Sequence, residues 1–592
     1  MKLKFTLTPI LFLFILLSNY NTKAQEVDSK KIMEEILKEK IRHHSFKNQL
    51  HELNNKNLNN SNDETKLSSD TGIEEGEPYI IVNPNNPDNI IASYMKFNPG
   101  TGLEFPIFYS NDGGQSWTQS VFDSQAIFSA TPFSSSHPLI GGGGDPVFAF
   151  DNSGTLYFSW IYLAIDPVTF DGRFLLFWGS STDGGATWTL SQGDDQFISQ
   201  GGLDLLTNQT TNFGDGIFDR QWMDVDNSGG ANNGNLYVSG FRVNTITSNI
   251  AISVRRKLAG NTNFEPNDVF VSPNPASVQF ANLQVDSNGV VHVTYTDLNL
   301  QSIMHSFSTD GALTFSTPAA IGNVTFTQGN PNTIVDSREN PAVNFEIDNS
   351  TNNLYVTWTS FENGEAKAYI VSSTDGGLTW STQQDIATLS ATAPNQSYFS
   401  TVSADQDNVS ISWYDLDIND VGHYMVMESQ DGGSTWETPV QVSGDVTDFQ
   451  AYSQEFFGDY FKTDRIGCKS YSIWSDGRSL SGPTVYVGIV DHCALSTEQV
   501  ELFPNDSDLT VIGIYPNPIQ DVLSIELDLK VSKLIHIEIV DTQGKLITSL
   551  VKDSISAGKY INTFNLSELA SGSYLLTIES EKGKIVKRLL KK

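Results

Sequence analysis

One eight-residue phrase returns five times in this chain. "SNDGGQSW" begins at Ser110, "STDGGATW" at Ser181, "STDGALTF" at Ser308, "STDGGLTW" at Ser373 and "SQDGGSTW" at Ser429. Self-similarity at such spacing is the signature of stacked supersecondary units. The stretch 340–386 displays one unit. "NPAVNFEID" alternates as a strand, "NSTNN" turns, "LYVTW" is a second strand and "AKAYIVSS" a third. The phrase "TDGGLTW" then turns into a short fourth strand. The second strand recurs with ends at Tyr94, Trp160, Gly240, Tyr295, Trp358, Trp413 and Trp474, about 55–80 residues apart.

A four-stranded antiparallel meander cannot bury both faces alone. Radial stacking buries them and protects the edges, so the pattern predicts an all-β fold, a β-propeller over residues 73–500. Counting units gives seven blades, or six if one unit is atypical. The last unit lacks a full fourth strand. "EPYIIV" near 77 or "TEQVELF" near 497 is the expected donor.

The flanks differ in kind. Residues 1–24 read as a secretory signal. Lys2 and Lys4 precede the apolar run Phe5–Leu17, and Thr22 and Ala24 stand before a cut at Gln25. Residues 25–72 read as a short helix, with Ile32, Ile36, Leu37 and Ile41 at helical spacing, and an Asn-rich polar linker. No later apolar run is long enough to span a bilayer, so no transmembrane helix is expected in the mature chain. Residues 508–592 alternate as short strands between turn signals and predict a small Ig-like β-sandwich.

The formal net charge is -34, from 35 Lys+Arg against 69 Asp+Glu. Such a field repels phosphate backbones and argues against a nucleic-acid partner. The only two cysteines are Cys468 and Cys493. "YSIWSDGR" and "TVYVGIV" read as one hairpin whose paired positions sum to about 960, and 468 + 493 = 961. Export and this register together predict a structural disulfide.

Two family resemblances rest on these residues. The "S-x-D-G-G-x-T-W" boxes in their strand context resemble the Asp-box (BNR) repeats of sialidase-like β-propellers. The tail resembles the type A C-terminal sorting domain of the type IX secretion system of Bacteroidetes. It does so through "YPNP" at Tyr515–Pro518, "DTQGKL" at Asp541–Leu546, "LSELASGSYLLTI" at Leu566–Ile578 and its Lys-rich end. The second resemblance implies the type IX machinery as a partner and an extracellular or outer-surface destination. In that family the tail is usually removed.

The boxes themselves read as turn staples. Gly permits positive φ, and the carboxylates of Asp112, Asp183, Asp310, Asp375 and Asp431 can accept backbone N–H bonds. Trp117, Trp188, Trp380 and Trp436 supply apolar wedges. A catalytic carboxylate would not need copying onto blades that face away from one another. Chemistry is expected instead where blades enter the ring axis. The candidates there are Asp145 in "GGGGDP", Asp219 and Arg220 in "FDRQW", Arg338 and Glu339 in "DSRENP", Tyr460 beside Asp459 in "FGDYF", and Arg478, with Arg465 nearby. A sialidase-type site would need an arginine cluster for the substrate carboxylate, a Tyr nucleophile assisted by Glu, and an acid/base Asp. The Arg-containing "FRIP"-like motif expected before the first box is absent; "ASYMKFNPG" stands there. Trp222 could line a pocket, though core packing explains it too.

No cofactor is required by this reading. Calcium is the one metal with a weak signal, at Asp224, Asp226 and Ser228 of "DVDNSGG", where a hairpin turn is the competing explanation. "DLDIND" at 415–420 is a second, weaker signal. The expectation is a secreted or surface propeller that binds glycans or surface proteins; the alternative is an exo-sialidase-like glycoside hydrolase.

Overall fold

The computed structural model describes residues 63–68, 74–98, 102–326, 342–390, 396–417, 419–449, 458–478, 483–492, 500–501, 508–515, 519, 521–541, 545–570, 572–580 and 582–591. The proposed signal peptide and short helix lie outside the described residues. Seven antiparallel sheets of four or five strands precede the C-terminal segment among these residues. We number them by their first strands. These are Glu74–Val82, Leu139–Phe150, Ile217–Val225, Val278–Val285, Val343–Asp348, Gln396–Asp405 and Lys462–Ile466, for sheets one to seven. Each first strand packs on the first strand of the next sheet, and that of sheet seven packs on that of sheet one.

Burial on both faces explains the strand composition. In sheet three every residue of the second strand, Leu236–Asn244, is buried. The second strands run past the expected ends, to Ile165, Glu362, Leu416 and Asp476, so Trp160, Trp358, Trp413 and Trp474 lie inside them, 0–1% exposed. Each such ring removes on the order of 150–250 Å² from water, worth about 4–6 kcal/mol.

The fourth strand of sheet seven comes from neither expected segment. Asp63–Lys66 pairs antiparallel with Thr484–Asp491, Asp63 opposite Ile489 and Lys66 opposite Tyr486. The sheets therefore begin inside the stretch read as linker. "DETK" has no apolar alternation, so periodicity could not flag it. Its hold is made by backbone pairing, by Leu67 in the apolar cluster with Val485 and Val487, and by Glu64. That carboxylate accepts from both Arg478 Nη atoms at 2.7 and 3.0 Å and from the Gly444 N–H at 2.7 Å. "EPYIIV" is instead part of the first strand of sheet one. "TEQVELF" contributes Val500–Glu501, which pairs with Lys584–Lys591 in the C-terminal domain.

The predicted hairpin register in sheet seven is observed, with Trp474 opposite Tyr486 and Lys469 opposite Asp491. The His492 N–H donates to the Cys468 carbonyl at 2.9 Å. Cys468 is not a free thiol; its expected partner, Cys493, lies outside the described residues.

The C-terminal segment forms a five-stranded and a three-stranded sheet. They share one apolar core, built from alternating positions such as Leu523, Ile525 and Leu527 against Ile535, Ile537 and Ile539.

The five boxes fold into one repeated turn. In the first, the Ser110 hydroxyl donates to Asp112 Oδ1 at 2.7 Å and accepts from the Gly114 N–H at 2.8 Å. Asp112 also accepts from the Ser116 amide at 2.9 Å and its hydroxyl at 2.5 Å. Asp183, Asp310, Asp375 and Asp431 make the same set with Thr187, Thr314, Thr379 and Thr435. The bonds from Ser116 hold the Asp112 carboxyl down to about 2. Each box also touches the preceding sheet. Asn89 donates to the Gly184 carbonyl at 3.1 Å and Arg256 to the Gly311 carbonyl at 2.7 Å. Gly377 sits so close to His305 that a Cβ would meet its ring at 2.2 Å. The turn is a fastener between sheets as well as within one.

Candidate functional site

Five of the seven first strands share a defect that gathers polar groups. Pairing with the second strand slips between Gly76 and Tyr79, Gly144 and Val147, Asp219 and Trp222, Gln279 and Asn282, and Tyr398 and Thr401. Inside each slip one non-glycine residue is left-handed: Glu77 at φ 51°, Asp145 at 60°, Arg220 at 52°, Phe280 at 57° and Phe399 at 50°. Bulges re-aim side chains, and left-handed backbone at such residues costs on the order of 1 kcal/mol each.

The re-aimed groups meet. Glu77 accepts from the Asp145 N–H at 2.8 Å, and Asp145 accepts from the Arg220 N–H at 3.3 Å. The Arg220 guanidinium pairs with Asp459 at 3.0 Å, donates to Gln279 and lies 4.5 Å from the centre of the Phe280 ring. Sheets one to four and the segment leading into sheet seven thus contribute to one knot. Glu75, Glu77, Asp145, Asp219 and Asp459 are at most 1% exposed and Arg220 is 5% exposed. The glycines of "GGGGDP" permit this approach. A Cβ on Gly144 would meet the Glu77 carboxylate at 2.2 Å, and one on Gly458 would meet the Glu77 backbone at 2.6 Å.

Tyr460 joins the knot with its hydroxyl buried. Burial, with the Asp145 and Glu77 charges beside it, pushes that phenol well above its ordinary value. It is held as a neutral phenol, the reverse of what a tyrosine nucleophile needs. Trp222 is 3% exposed and packs between Tyr79 and Tyr460 at ring separations of 5.4 and 5.7 Å. It is a core ring. Beside the knot, Asn344, Thr359, Ser400, Thr401, Asp459 and Tyr460 help line a cavity of about 20 Å³, room for one water.

Farther along the first strands, Lys462 donates to Glu346 at 2.7 Å with both side chains at most 12% exposed. Burial pushes Asp224 up to about 7, against backbone bonds from Val285 and Val225.

Other sequence candidates go elsewhere. Arg478 pairs with Glu64 and Asp476 and stacks 4.1 Å from the centre of the Tyr486 ring, so it clasps the closing strand and does not join the knot. Arg465 donates to Ser410 at 2.8 Å and pairs with buried Glu428, which also meets His492. Arg338 and Glu339 lie outside the described residues. Asp224 accepts the Val285 N–H of the next sheet at 2.7 Å, whereas Asp226 caps its own turn through the Ser228 N–H at 2.9 Å. Asp151 and Asp286 cap the matching turns. Asp417 of "DLDIND" likewise caps a turn, accepting from the Asn419 and Val421 amides at 2.7 and 3.1 Å. Among the described residues no three His, Cys, Asp or Glu side chains are grouped to hold a metal ion.

Sequence reasoning missed Arg242 and Arg255. Asp268 bridges both guanidinium groups at 2.6 Å, and Asp215 takes a second bond from Arg255 at 2.6 Å. Charged residues at positions where the strand pattern wants apolar ones, in "GFRVN" and "ISVRRK", were the available signal.

The tail of the chain carries a decisive match: residues 513–592 fit the family described as the secretion system C-terminal sorting domain. This segment is a sorting domain of that family. No curated protein matches the chain. Among solved structures, a protein of unknown function from Dyadobacter fermentans is 14% identical, covering 59% of this chain and 93% of its own at a TM-score of 0.38. The Hadza microbial sialidase Hz136 is 15% identical, covering 57% and 63% at 0.36. A Fusarium graminearum GH93 α-L-arabinofuranosidase is 14% identical, covering 59% and 93% at 0.36. Likenesses at this level assign no activity. The sorting domain marks the chain for export to the cell surface or the extracellular space. Among the described residues no helix is long and apolar enough to cross a membrane.

Proposed function

We propose that the sorting domain delivers a closed seven-bladed β-propeller to the exterior, by the type IX route, and that the propeller works by binding a glycan or a surface protein. The ring is fastened by Asp63–Lys66 and by a Cys468–Cys493 bond. One observation carries the preference for binding over hydrolysis. The described arginines that a sialidase-type site would use are already committed to internal carboxylates: Arg220 to Asp459, Arg465 to Glu428, Arg478 to Glu64 and Asp476. An arginine so paired and buried is not free to take a substrate carboxylate without breaking a pair worth several kcal/mol.

The test is a fluorogenic sialoside panel beside a glycan array, both on the exported chain. The expected result is no turnover on any sialoside. Turnover that vanishes in Arg338→Ala while the thermal melt stays unchanged would replace this reading with the hydrolase.

A further inference from the structure

Four turns on sheets two, three and four share a design that periodicity does not explain. They are "DPVTF" at 166–170, "DLLTN" at 204–208, "NTITS" at 244–248 and "DLNLQ" at 297–301. In each, the first side chain caps the turn. Asp166 accepts from the Val168 N–H at 2.8 Å, Asp204 from Leu206 at 2.9 Å, Asn244 from Ile246 at 3.0 Å and Asp297 from Leu300 at 2.9 Å. In each, the fifth residue is left-handed: Phe170 at φ 59°, Asn208 at 55°, Ser248 at 58° and Gln301 at 48°. In each, an aliphatic side chain stands out: Val168 is 83% exposed, Leu206 71%, Ile246 53% and Leu300 64%.

Three of these turns are bonded side by side, and the fourth, 297–301, stands at the same end of the next sheet; together they are called the crest. All four turns lie at the end of their sheets where the first strand enters, since Leu139 pairs with Ile165, Asp204 with Asp171, Ile217 with Val243 and Val278 with Asp297. That end also carries the buried knot. Neighbouring turns are joined: the Leu205 N–H donates to the Phe170 carbonyl at 3.1 Å, and the Thr210 and Thr245 hydroxyls each accept the other's amide at 2.9 Å. Singly exposed aliphatics need no explanation, but several of them on capped turns at one end of neighbouring sheets mark an interaction surface.

We propose that this crest docks a protein partner whose surface is apolar and bordered by Lys or Arg. The inference rests on the binding reading above and narrows it. Sugars are recognised over aromatic faces with dense hydrogen bonding, whereas the exposed side chains here are four aliphatics and one ring, Phe170 at 43%. The turns carry Asp166, Asp204 and Asp297 and no Lys or Arg, and the whole chain has a net charge of -34. This field disfavours an anionic bilayer or a second copy and complements a basic margin.

The test pans a random dodecapeptide phage library on the immobilised full chain, with V168S/L206S/I246S/L300S as the comparison. The tips project into solvent, so the variant keeps its melting temperature. Recovered peptides should combine aliphatic residues with Lys or Arg, bind the variant at least about tenfold more weakly and weaken in high salt. Recovery of no peptide, or of peptides that bind both forms equally, overturns the proposal. So does flotation on vesicles, or a dimer in sedimentation, that the four substitutions abolish. Glycan-array binding that survives in the variant, alongside either of the first two results, sinks the protein partner and leaves the binding function standing.

Discussion

At the scale of single residues, two titrating groups, one buried and one half-buried, pull stability in opposite directions. His305 is 2% exposed, its ring nitrogen 3.1 Å from that of His292. Burial, with His292 beside it, lowers it to about 3. An unfolded chain takes up this proton below pH 6.5, and the folded chain refuses it until about 3. Stability from this group is therefore complete above 6.5 and falls with falling pH, by up to about 1.4 kcal/mol per unit. Asp224 has the reverse sign. Its carboxyl rises from 3.8 to about 7, so its contribution is complete below 3.8 and falls as pH climbs to 7. His305→Phe should tilt the stability–pH curve toward acid, and Asp224→Asn should tilt it toward neutral pH. Urea midpoints between pH 4 and 6.5 check this; slopes that move the same way in both variants would contradict it. The boxes give a plainer case. Asp183→Ala removes acceptors for an amide and two hydroxyls, so it should cost about 1–3 kcal/mol in thermal or urea unfolding.

At the scale of elements, what was legible followed from periodicity and what was hidden did not. The second strands repeat an apolar pattern because sheets cover both of their faces, so their number and order could be read from the chain. The hairpin around Trp474 could be placed to its register. Asp63–Lys66 has no periodic signal, because a short edge strand of polar residues is held chiefly by backbone pairing and by Glu64 on Arg478. The knot was half legible. Asp145, Asp219, Arg220 and Tyr460 stand at expected blade entries in the sequence, but Glu77 and Gln279 carry no such signal, since a bulge that re-aims a side chain leaves no periodic trace. Arg478 was misplaced for the same reason, its partner being 414 residues away. Glu64→Ala should lower the melting temperature by several degrees, with a smaller loss for Glu64→Gln. Shortening the chain to begin at residue 62 should leave the melt intact, and beginning at 70 should not. Thiol titration of unreduced, denatured protein should find no free thiol; two thiols would remove the Cys468–Cys493 bond.

At the scale of the whole molecule, export and architecture make demands on each other. Sheet seven takes one strand from Asp63–Lys66 and three from 462–491. Sheet seven cannot be completed until sheets one to six have been synthesised, and the sorting domain follows directly. The strand Asp63–Lys66 and the last sheet must therefore meet before the edge of Thr484–Asp491 is covered. Sorting information sits apart, in a domain with its own apolar core. This separation predicts that the two functions can be divided. Deleting 513–592 should leave the ring folded, with the same melting transition for the propeller, while the protein no longer reaches the exterior. Fractionation of cells expressing the full and the shortened chain reads the second outcome, and calorimetry of both purified proteins reads the first. A shortened chain that still reached the medium would mean that export information lies in the sheets themselves. A propeller that lost its transition would mean that the tail, through Val500–Glu501 on Lys584–Lys591, helps to hold the ring shut.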